Sequence, residues 1–459
     1  MNDDSKSIKD QSIILSMAKR IVNKTLRSVL PTSVDGGSDE HTTRTSKGGF
    51  GTILEREYFG IQENFNESVP DFREAGIELK SSPVIKTAKG IKAKERMVLS
   101  IINYHSLKDE IFENSSFLKK NARLLVVFYL HEKDKPVKDL KVVLADLWSI
   151  PNEDLPVIKK DWEDIKEMVM AGKAHEIHEG MTRYLAACTK GKDSNSLRDQ
   201  PFSEKKAMQR AFSFKQSYVN SIIQYLQKKE NILQQDSIVK QGLPKGYDSF
   251  EEIVIERFNP YIGWDVVAIG KKFDFDVNSR AKNINDLLTR RILGVKKRII
   301  EFEKADITLR SITVEANGKI KEHISFPAFR YDEIVKEDDW DTSQIREMFV
   351  KRFFFVIYQK DERGIKHLKK VMFWSIPPKD LEEVRKVWSD TKKCIIDGKY
   401  PELPKSTDNK VSHVRPHART ARDTITAPDG SKQVKRSFWL NRSYIEKQIG
   451  AVPWTLDNR

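Results

Sequence analysis

Residues 70–84 read PDFREAGIELKSSPV, a stretch that combines an apolar alternation with closely spaced charges. In an extended strand, alternate side chains share one face. Glu78 and Lys80 therefore point to the same side. Ile77 and Leu79 point to the opposite side, into a core. The stretch predicts a strand that presents an acidic and a basic side chain together.

The extended segment is predicted to span Asp71–Val84, with a turn at Gly76 that can bring the Asp71 carboxylate beside Glu78. Two carboxylates suit Mg²⁺, which keeps its remaining positions for water and a substrate phosphate. Lys80 would orient that water and offset charge on the transition state of phosphodiester hydrolysis. The alternative is that the glutamate and the lysine form a solvent-facing ion pair with no catalytic role.

The chain repeats itself. The motif WSIP occurs at residues 148–151 and again at 374–377, an offset of 226 from position 148 to position 374. The same offset separates Trp162 from Trp388, and it also holds for glycine, phenylalanine and tyrosine positions. Self-similarity at one offset is the signature of duplicated domains. The sequence therefore predicts two tandem copies of one domain.

The copies differ at the positions of the charged cluster. The second copy has Glu301 in place of Asp71, Thr308 in place of Glu78 and Arg310 in place of Lys80. The apolar frame is kept at Ile307 and Leu309. One copy thus retains the chemical groups and the other retains only the scaffold, which favours a single active centre over the ion-pair alternative.

The predicted fold class is mixed α/β, with a central mixed sheet flanked by helices in each copy, because strands precede helices. The polar segment QQDSIVKQGLPKG at residues 234–246 is the predicted boundary, giving domains at 1–240 and 241–459. In the first copy, the predicted helices are Thr52–Phe59, Trp162–Met170 and Lys215–Leu226. The further predicted strands are Leu99–Tyr104 and Leu124–Leu130.

The composition is that of a globular protein of 459 residues with a formal net charge of +14. Such an excess suits either a nucleic-acid partner or a charge that serves only solubility. Two cysteines, Cys188 and Cys394, are typical of a reducing compartment, and no apolar run approaches the roughly 20 residues of a membrane helix. We predict a cytoplasmic protein that does not span a membrane.

Basic loops are the next candidates. In KGGFG at residues 47–51, glycines beside a lysine allow the backbone to approach a ligand closely. Glu55 follows on a helix and could complete the metal site. Alternatively the glycines are only a flexible lead into that helix. CTKGK at 188–192 and HVRPH at 413–417 lie at equivalent places in the two copies, which favours equivalent use against DNA.

At these motifs the chain resembles the MutH family, and especially the longer Sau-type restriction endonucleases that cut at GATC. The matching segments are KGGFGTILE (47–55), PDFREAGIELKSSPV (70–84), SSFLKKNARLLVVFY (115–129), WSIPNEDLPVIKKDWEDIKEMVMAGK (148–173), RAFSFKQSY (210–218), HVRPH (413–417) and KRSFWLNRSYI (435–445). The resemblance implies two tandem restriction-endonuclease-like domains. It also implies Mg²⁺ as the cofactor and cleavage of double-stranded DNA 5′ of the G in GATC.

Carried over by position, the resemblance assigns Asp71 and Glu78 as metal ligands and Lys80 as the catalytic lysine. It assigns Glu55 as a helix-borne acidic partner and Lys120 as an active-site lysine. The residues predicted to contact DNA are Lys47, Gly48, Lys190, Arg415 and His417.

Base reading is predicted to be shared between the copies. Of the family's arginine-proline-lysine loop, the first copy keeps only Lys190, whereas the second keeps Arg415 and Pro416, with the arginine placed to read guanine. Ser213 stands where the nicking relatives have a tyrosine. A response to adenine methylation is therefore not predicted.

The prediction is a type II restriction endonuclease with a catalytic first copy and a degenerate second copy that binds DNA and promotes pairing. Because GATC is palindromic and one centre cuts one strand, either two chains associate on the DNA or one chain acts twice. Neither a membrane nor a nucleotide cofactor is expected. The alternatives are a mismatch-repair-type nicking endonuclease, whose short relatives lack a second copy, and a non-cutting DNA-binding regulator.

Overall fold

The computed structural model describes residues 10–31, 49–61, 69–88, 90–133, 135–191, 196–227, 237–239, 243–277, 284–296, 299–337, 339–418, 420 and 422–450. The chain divides into two compact units. The N-terminal unit contains the chain up to Phe250 together with Glu303–Asp306, and the C-terminal unit contains Glu251–Phe302 and the chain from Ile307 onward. The boundary segment predicted at 234–246 lies partly outside the described residues.

The N-terminal unit is mixed α/β, as predicted. Its helices are α1 (Gln11–Arg20), α2 (Leu26–Val29), α3 (Gly49–Ile53), α4 (Tyr104–Leu107), α5 (Ser116–Asn121), α6 (Leu155–Met170) and α7 (Gln216–Gln227). Its strands are β1 (Glu78–Thr87), β2 (Gly90–Ala93), β3 (Met97–Ile101), β4 (Arg123–Leu130), β5 (Val142–Ser149), β6 (Leu185–Thr189), β7 (Leu197–Gln200), β8 (Ser203–Met208) and β9 (Arg210–Phe214). In the described residues these strands form a four-stranded sheet of order β2-β1-β4-β5, a three-stranded sheet of order β3-β9-β6 and the hairpin β7-β8.

The second copy repeats this plan. Its helices are α8 (Phe250–Phe258), α9 (Val266–Lys272), α10 (Ile284–Ile292), α11 (Ile300–Lys304), α12 (Tyr331–Ile334), α13 (Gln344–Phe349), α14 (Pro378–Ile396) and α15 (Arg442–Ile449). Its strands are β10 (Ile307–Val314), β11 (Ile324–Ala328), β12 (Arg352–Lys360), β13 (Lys366–Trp374), β14 (Ser412–Pro416), β15 (Thr424–Thr426), β16 (Lys432–Val434) and β17 (Arg436–Leu440). They form sheets of order β10-β12-β13 and β11-β17-β14 and the hairpin β15-β16.

The two copies share the register of their parallel strands. β1 runs parallel to β4 with Glu78 opposite Leu124. β10 runs parallel to β12 with Thr308 opposite Phe353. Each parallel pair continues into an antiparallel strand, β5 in the first copy and β13 in the second. Both sheets are therefore mixed, and the residue that replaces Glu78 occupies the same place in its sheet.

An aromatic contact beneath the sheets is also duplicated. The ring centroids of Trp148 and Tyr218 are 6.1 Å apart, and those of Trp374 and Tyr444 are 6.2 Å apart. Each tyrosine hydroxyl donates to an aspartate at the start of the long helix, α6 or α14, at 2.9 and 2.8 Å respectively. The repeated tryptophans and tyrosines of the sequence are thus core residues that hold the long helix to the sheets.

The strand that bears the charged cluster begins later than predicted. β1 begins at Glu78, not at Asp71, because Arg73–Ala75 form a 3-10 turn before it. Ile77 and Leu79 are buried in the core on the far side of the strand, as the alternation predicts.

The strand predicted at Leu99–Tyr104 is also shifted, to Met97–Ile101. The Asn103 side chain accepts hydrogen bonds from the backbone N–H groups of the next turn and begins helix α4 there. None of the helices in the described residues combines the length and the hydropathy that a bilayer crossing requires.

Candidate active site

A short turn brings Asp71 to the start of β1. Phe72 N–H donates to Ile77 O at 2.9 Å, and Ile77 N–H donates to Phe72 O at 3.3 Å. Between them the 3-10 turn Arg73–Ala75 ends at Gly76, whose φ is 64°. Glycine adopts this left-handed conformation without the steric penalty that a Cβ imposes. The sequence PDFREAG therefore closes the loop that returns the chain to the strand.

Asp71 and Glu78 are fixed by backbone hydrogen bonds across this loop. The Asp71 N–H donates to Glu78 Oε2 at 3.1 Å, and the Leu79 N–H donates to Asp71 Oδ2 at 2.9 Å. Both carboxylates are thereby oriented before any ligand binds. Such preorganisation is what a metal-binding or catalytic pair needs.

Two lysines meet at Glu78. Lys80 Nζ lies 2.7 Å from Glu78 Oε1, and Lys120 Nζ lies 3.5 Å from the same oxygen. Lys120 belongs to the last turn of α5, just before the strand that pairs with β1. The Glu78 side chain is only 2% exposed and that of Lys80 17%. This geometry contradicts the alternative of a solvent-facing ion pair.

Glu55 approaches the same cluster from a helix. It lies in the π-helical turn Leu54–Tyr58 that follows α3, a distortion frequent at functional sites. A Cβ on Gly51 would lie 3.1 Å from Ser81 Oγ and 4.0 Å from Glu55 Oε1. The glycine therefore lets this helix approach β1 closely enough to present Glu55 to the strand.

Burial and like charge raise the pKa values of the acidic groups. The pKa of Asp71 is raised from 3.8 to about 7, mainly by burial and then by the charge of Glu78, against the opposing effect of Lys80. Burial likewise raises the pKa of Glu55, and the charge of Lys80 partly offsets this effect. A cation bound among these groups would relieve both penalties.

The residues present fit a small divalent cation. Asp71 and Glu78 supply hard oxygen donors, and Mg²⁺ is usually held by one or two protein carboxylates, with water and phosphate completing its shell. Burial, and then the charge of Glu78, raise the pKa of Asp71, and a bound cation would offset both effects. In the described part of the chain, no group of three or more His, Cys, Asp or Glu side chains is placed to hold a metal. The pair therefore fits an ion that the substrate phosphate helps to bind.

Of the residues predicted to contact DNA in the first copy, Lys190 lies in the described part of the chain. Lys47 and Gly48 lie outside the described residues. Lys190 is exposed directly after β6, where its N–H donates to Gln209 O at 2.7 Å. It therefore belongs to the three-stranded sheet and not to the sheet that carries the carboxylates.

In the second copy, Arg415 and His417 converge on one aromatic ring. The Arg415 guanidinium lies 4.9 Å from the ring centroid of Trp439, and the His417 ring lies 5.4 Å from it. His417 Nδ1 is 3.0 Å from Phe326 O and 2.9 Å from Ser437 Oγ. These contacts hold the histidine in place and leave the exposed arginine stacked on the tryptophan.

Trp439 is a residue that the sequence reasoning missed. The pairing of β14 with β17 places Arg415 opposite Ser437, so Trp439 lies on the same face of the sheet as the arginine. Its Nε1 atom is buried and has no hydrogen-bond partner among the described residues. Comparison of the two copies gives the indication, because a tryptophan in the second copy stands where the first copy has Ser213, 226 positions earlier.

Comparison with known proteins identifies the family. Residues 59–161 match the family model of the DNA mismatch repair enzyme MutH. The type II restriction enzyme Sau3AI of Staphylococcus aureus is 34% identical over 490 residues, which cover 94% of this chain and 98% of that protein.

The mismatch repair proteins match less of the chain. MutH of Shewanella amazonensis is 29% identical over 134 residues, 29% of this chain and 58% of its own length. MutH of Vibrio vulnificus is 33% identical over 107 residues, 23% of this chain and 46% of its own length. Unlike these two matches, the match to the restriction enzyme extends over both copies. The chain belongs to the MutH and Sau3AI family, and it is a type II restriction endonuclease.

Proposed function

We propose that the protein cuts both strands of duplex DNA 5′ of the G in GATC, with Mg²⁺ as its cofactor, in the cytoplasm. The observation that supports this most directly is the buried cluster in which Asp71, Glu78 and Lys80 meet at the start of β1. The GATC specificity rests on the resemblance along both copies.

Asp71 and Glu78 would hold the metal. When bound, Mg²⁺ would supply Lewis-acid activation of water and neutralise charge on the scissile phosphate. Lys80 and Lys120 both contact Glu78 Oε1. On binding of substrate they would give up this oxygen and donate instead to the phosphate and to the attacking water.

The lysines and Glu55 have separate roles in this mechanism. Lys80 would orient the attacking water and stabilise charge that develops on the phosphate, and Lys120 would add a second positive charge. Glu55 has a raised pKa because of burial. A carboxylate with a raised pKa is a stronger proton acceptor, so Glu55 would assist deprotonation of the water.

The division of labour follows the duplication. Residues 1–240 would form the catalytic domain, and residues 241–459 would form a degenerate domain that binds DNA and promotes pairing. Contacts to DNA would come from Lys47, Gly48, Lys190, Arg415 and His417. Arg415 would donate to both acceptors of a guanine edge. Because GATC is palindromic and one chain has one such centre, we propose that two chains associate on the DNA.

Digestion of a GATC-containing plasmid tests the proposal. With Mg²⁺ the protein should produce limit fragments from cuts at GATC, and a chelator should prevent cutting. Lys80→Ala should abolish cleavage and retain duplex binding. Lys86→Ala, an exposed lysine on the same strand, is the matched control and should cut normally.

Two results would contradict the proposal. Normal cutting by Lys80→Ala would remove the assigned catalytic centre. Accumulation of nicked circles without linear product would show that the protein cuts only one strand.

A further inference from the structure

Arg310 occupies in the second copy the place that Lys80 has in the first. Lys80 lies opposite Val126 in the pairing of β1 with β4. Arg310 lies opposite Phe355 in the pairing of β10 with β12. Both cationic side chains therefore emerge from the same position of the sheet and on the same face.

The surroundings of the two cations differ. Lys80 is neutralised by Glu78 at 2.7 Å, whereas Thr308 occupies the position of that glutamate in the second copy. Glu301, the counterpart of Asp71, is buried on α11 and forms no ion pair with Arg310. Among the described residues, the Arg310 side chain has no hydrogen-bond or ion-pair partner.

A half-buried guanidinium without a counter-charge is an unfavourable arrangement for the protein alone. Burial lowers the pKa of Arg310, and no acidic group counters this effect. Arginine nevertheless stays protonated in proteins, so its charge is retained. A buried charge is stabilised when a ligand of opposite sign pairs with it. The position is therefore suited to an anion that the chain does not itself supply.

We propose that Arg310, with the Thr308 hydroxyl beside it, binds a backbone phosphate of duplex DNA without hydrolysing it. The inference rests on the DNA-binding role proposed above for the second copy and names the contact. A planar guanidinium can donate two parallel hydrogen bonds to phosphate oxygens. The equivalent position of the first copy is the one where the scissile phosphate would lie.

The exchange of glutamate for threonine also determines the metal requirement. In the first copy, Asp71 and Glu78 repel a phosphate unless a cation lies between them and it. Thr308 removes one of these charges, and Arg310 attracts the phosphate directly. Binding to the second copy is therefore independent of divalent metal, whereas productive binding to the first copy requires it.

Duplex binding in the presence of a chelator tests this proposal on the full-length Lys80→Ala protein. A fluorescent GATC duplex is titrated and its anisotropy measured over a range of salt concentrations. Arg310→Ala should weaken metal-free binding roughly tenfold and lower the slope of log affinity against log salt by about one. Thr308→Glu should weaken it similarly, and Lys319→Ala, an exposed lysine of the same unit, should not.

Thermal unfolding without DNA separates a binding role from a structural one. Arg310→Leu should leave Tm unchanged or raise it, because it removes an uncompensated charge. Arg352→Leu should lower Tm, because Arg352 is paired with Glu251 at 2.8 Å. A fall in Tm with Arg310→Leu, or unchanged duplex affinity in Arg310→Ala, would overturn the proposal.

Inorganic phosphate distinguishes the source of the anion. At constant ionic strength it should not displace the duplex. If inorganic phosphate alone raised Tm and Arg310→Ala left the duplex affinity unchanged, the assignment to DNA would be overturned. These affinities are measured without cleavage, so failure of the plasmid test and failure of this proposal are distinguishable.

Discussion

Replacement of Asp71 by asparagine should have two effects: it should stabilise the metal-free protein, and it should abolish DNA cleavage. Asparagine has nearly the shape of aspartate, and its carbonyl oxygen can still accept the Leu79 N–H that now reaches Asp71 Oδ2 at 2.9 Å. The substitution removes the buried charge and its repulsion with Glu78, the two causes that raise the pKa of Asp71. It also removes a proposed metal ligand.

The size of the stabilisation follows from the pKa of Asp71. An acid whose pKa is higher in the folded state binds more protons there, so stability falls as pH rises between the unfolded and folded values. For Asp71 that window runs from 3.8 to about 7. At 1.36 kcal/mol per pH unit the full effect is about 4 kcal/mol, or about 2 kcal/mol once residual solvent contact is allowed for.

Urea or thermal unfolding in the presence of a chelator measures this effect. At about pH 8 the free energy of unfolding of Asp71→Asn should exceed that of the wild type by about 2 to 4 kcal/mol, and at about pH 4 the two should agree. Adding Mg²⁺ should stabilise the wild type and leave the variant unchanged. Asp109→Asn is the matched control, because its carboxylate is 74% exposed and its effect should be small at both pH values.

Two results would refute the reasoning about Asp71. One is a variant less stable than the wild type at about pH 8, which would mean that the carboxylate contributes more through its hydrogen bonds than burial and repulsion remove. The other is a stability difference that does not change with pH. Cleavage at the wild-type rate would refute the role of Asp71 as a ligand, whatever the stability.

Three further perturbations test other parts of the structure. Gly51→Ala places a methyl group 3.1 Å from Ser81 Oγ and should slow plasmid cleavage roughly tenfold to a hundredfold by displacing the helix. The double variant with Ser81→Ala should regain most of the wild-type rate of plasmid cleavage. Asp161→Ala removes the acceptor of three consecutive backbone N–H groups and should lower the free energy of unfolding in urea by about 3 to 5 kcal/mol. Arg415→Ala should reduce discrimination between GATC and altered duplexes by about 1 to 3 kcal/mol in competition binding, and unchanged discrimination would exclude base reading by that arginine.

The strand with the charged cluster could be predicted because side chains in any β-strand alternate strictly between its two faces. Alternation alone places Glu78 and Lys80 on one face, and their 2.7 Å contact follows from it. The start of the strand could not be predicted in the same way. The 3-10 turn at Arg73–Ala75 depends on hydrogen bonds between Phe72 and Ile77, which no periodic pattern records.

Convergence of the cluster depends on elements distant in sequence. The sequence places Glu55 on a helix after the glycine motif, and the family resemblance assigns Lys120 to the active site, but nothing local to either residue indicates its contacts. In the structure Lys120 reaches Glu78 because α5 ends just before the strand parallel to β1. Burial is equally nonlocal, so the raised pKa of Asp71 could not be inferred from its neighbours in the chain.

The face with Trp439 was missed for a related reason. In an alternating strand a tryptophan is usually assigned to the core, yet here Phe438 is fully buried and Trp439 lies on the other face. Comparison of the copies would have indicated this, because the first copy has Ser213 at the matching place. The first copy folds without an aromatic residue at this position, so a tryptophan here is more consistent with a binding role than with a packing role.

The scaffold and the site make opposite demands on stability, and the duplication separates them. The paired tryptophan and tyrosine contacts, 6.1 Å in one copy and 6.2 Å in the other, are kept because each copy needs them to fold. The carboxylate pair of the first copy raises the free energy of the metal-free state through burial and repulsion. Thr308 removes that repulsion from the second copy, which we propose is not catalytic. Arg310 does not fit this account as a relic, because an unpaired half-buried cation is itself unfavourable. Its retention is explained if the second copy still binds the phosphate backbone that the first copy cuts.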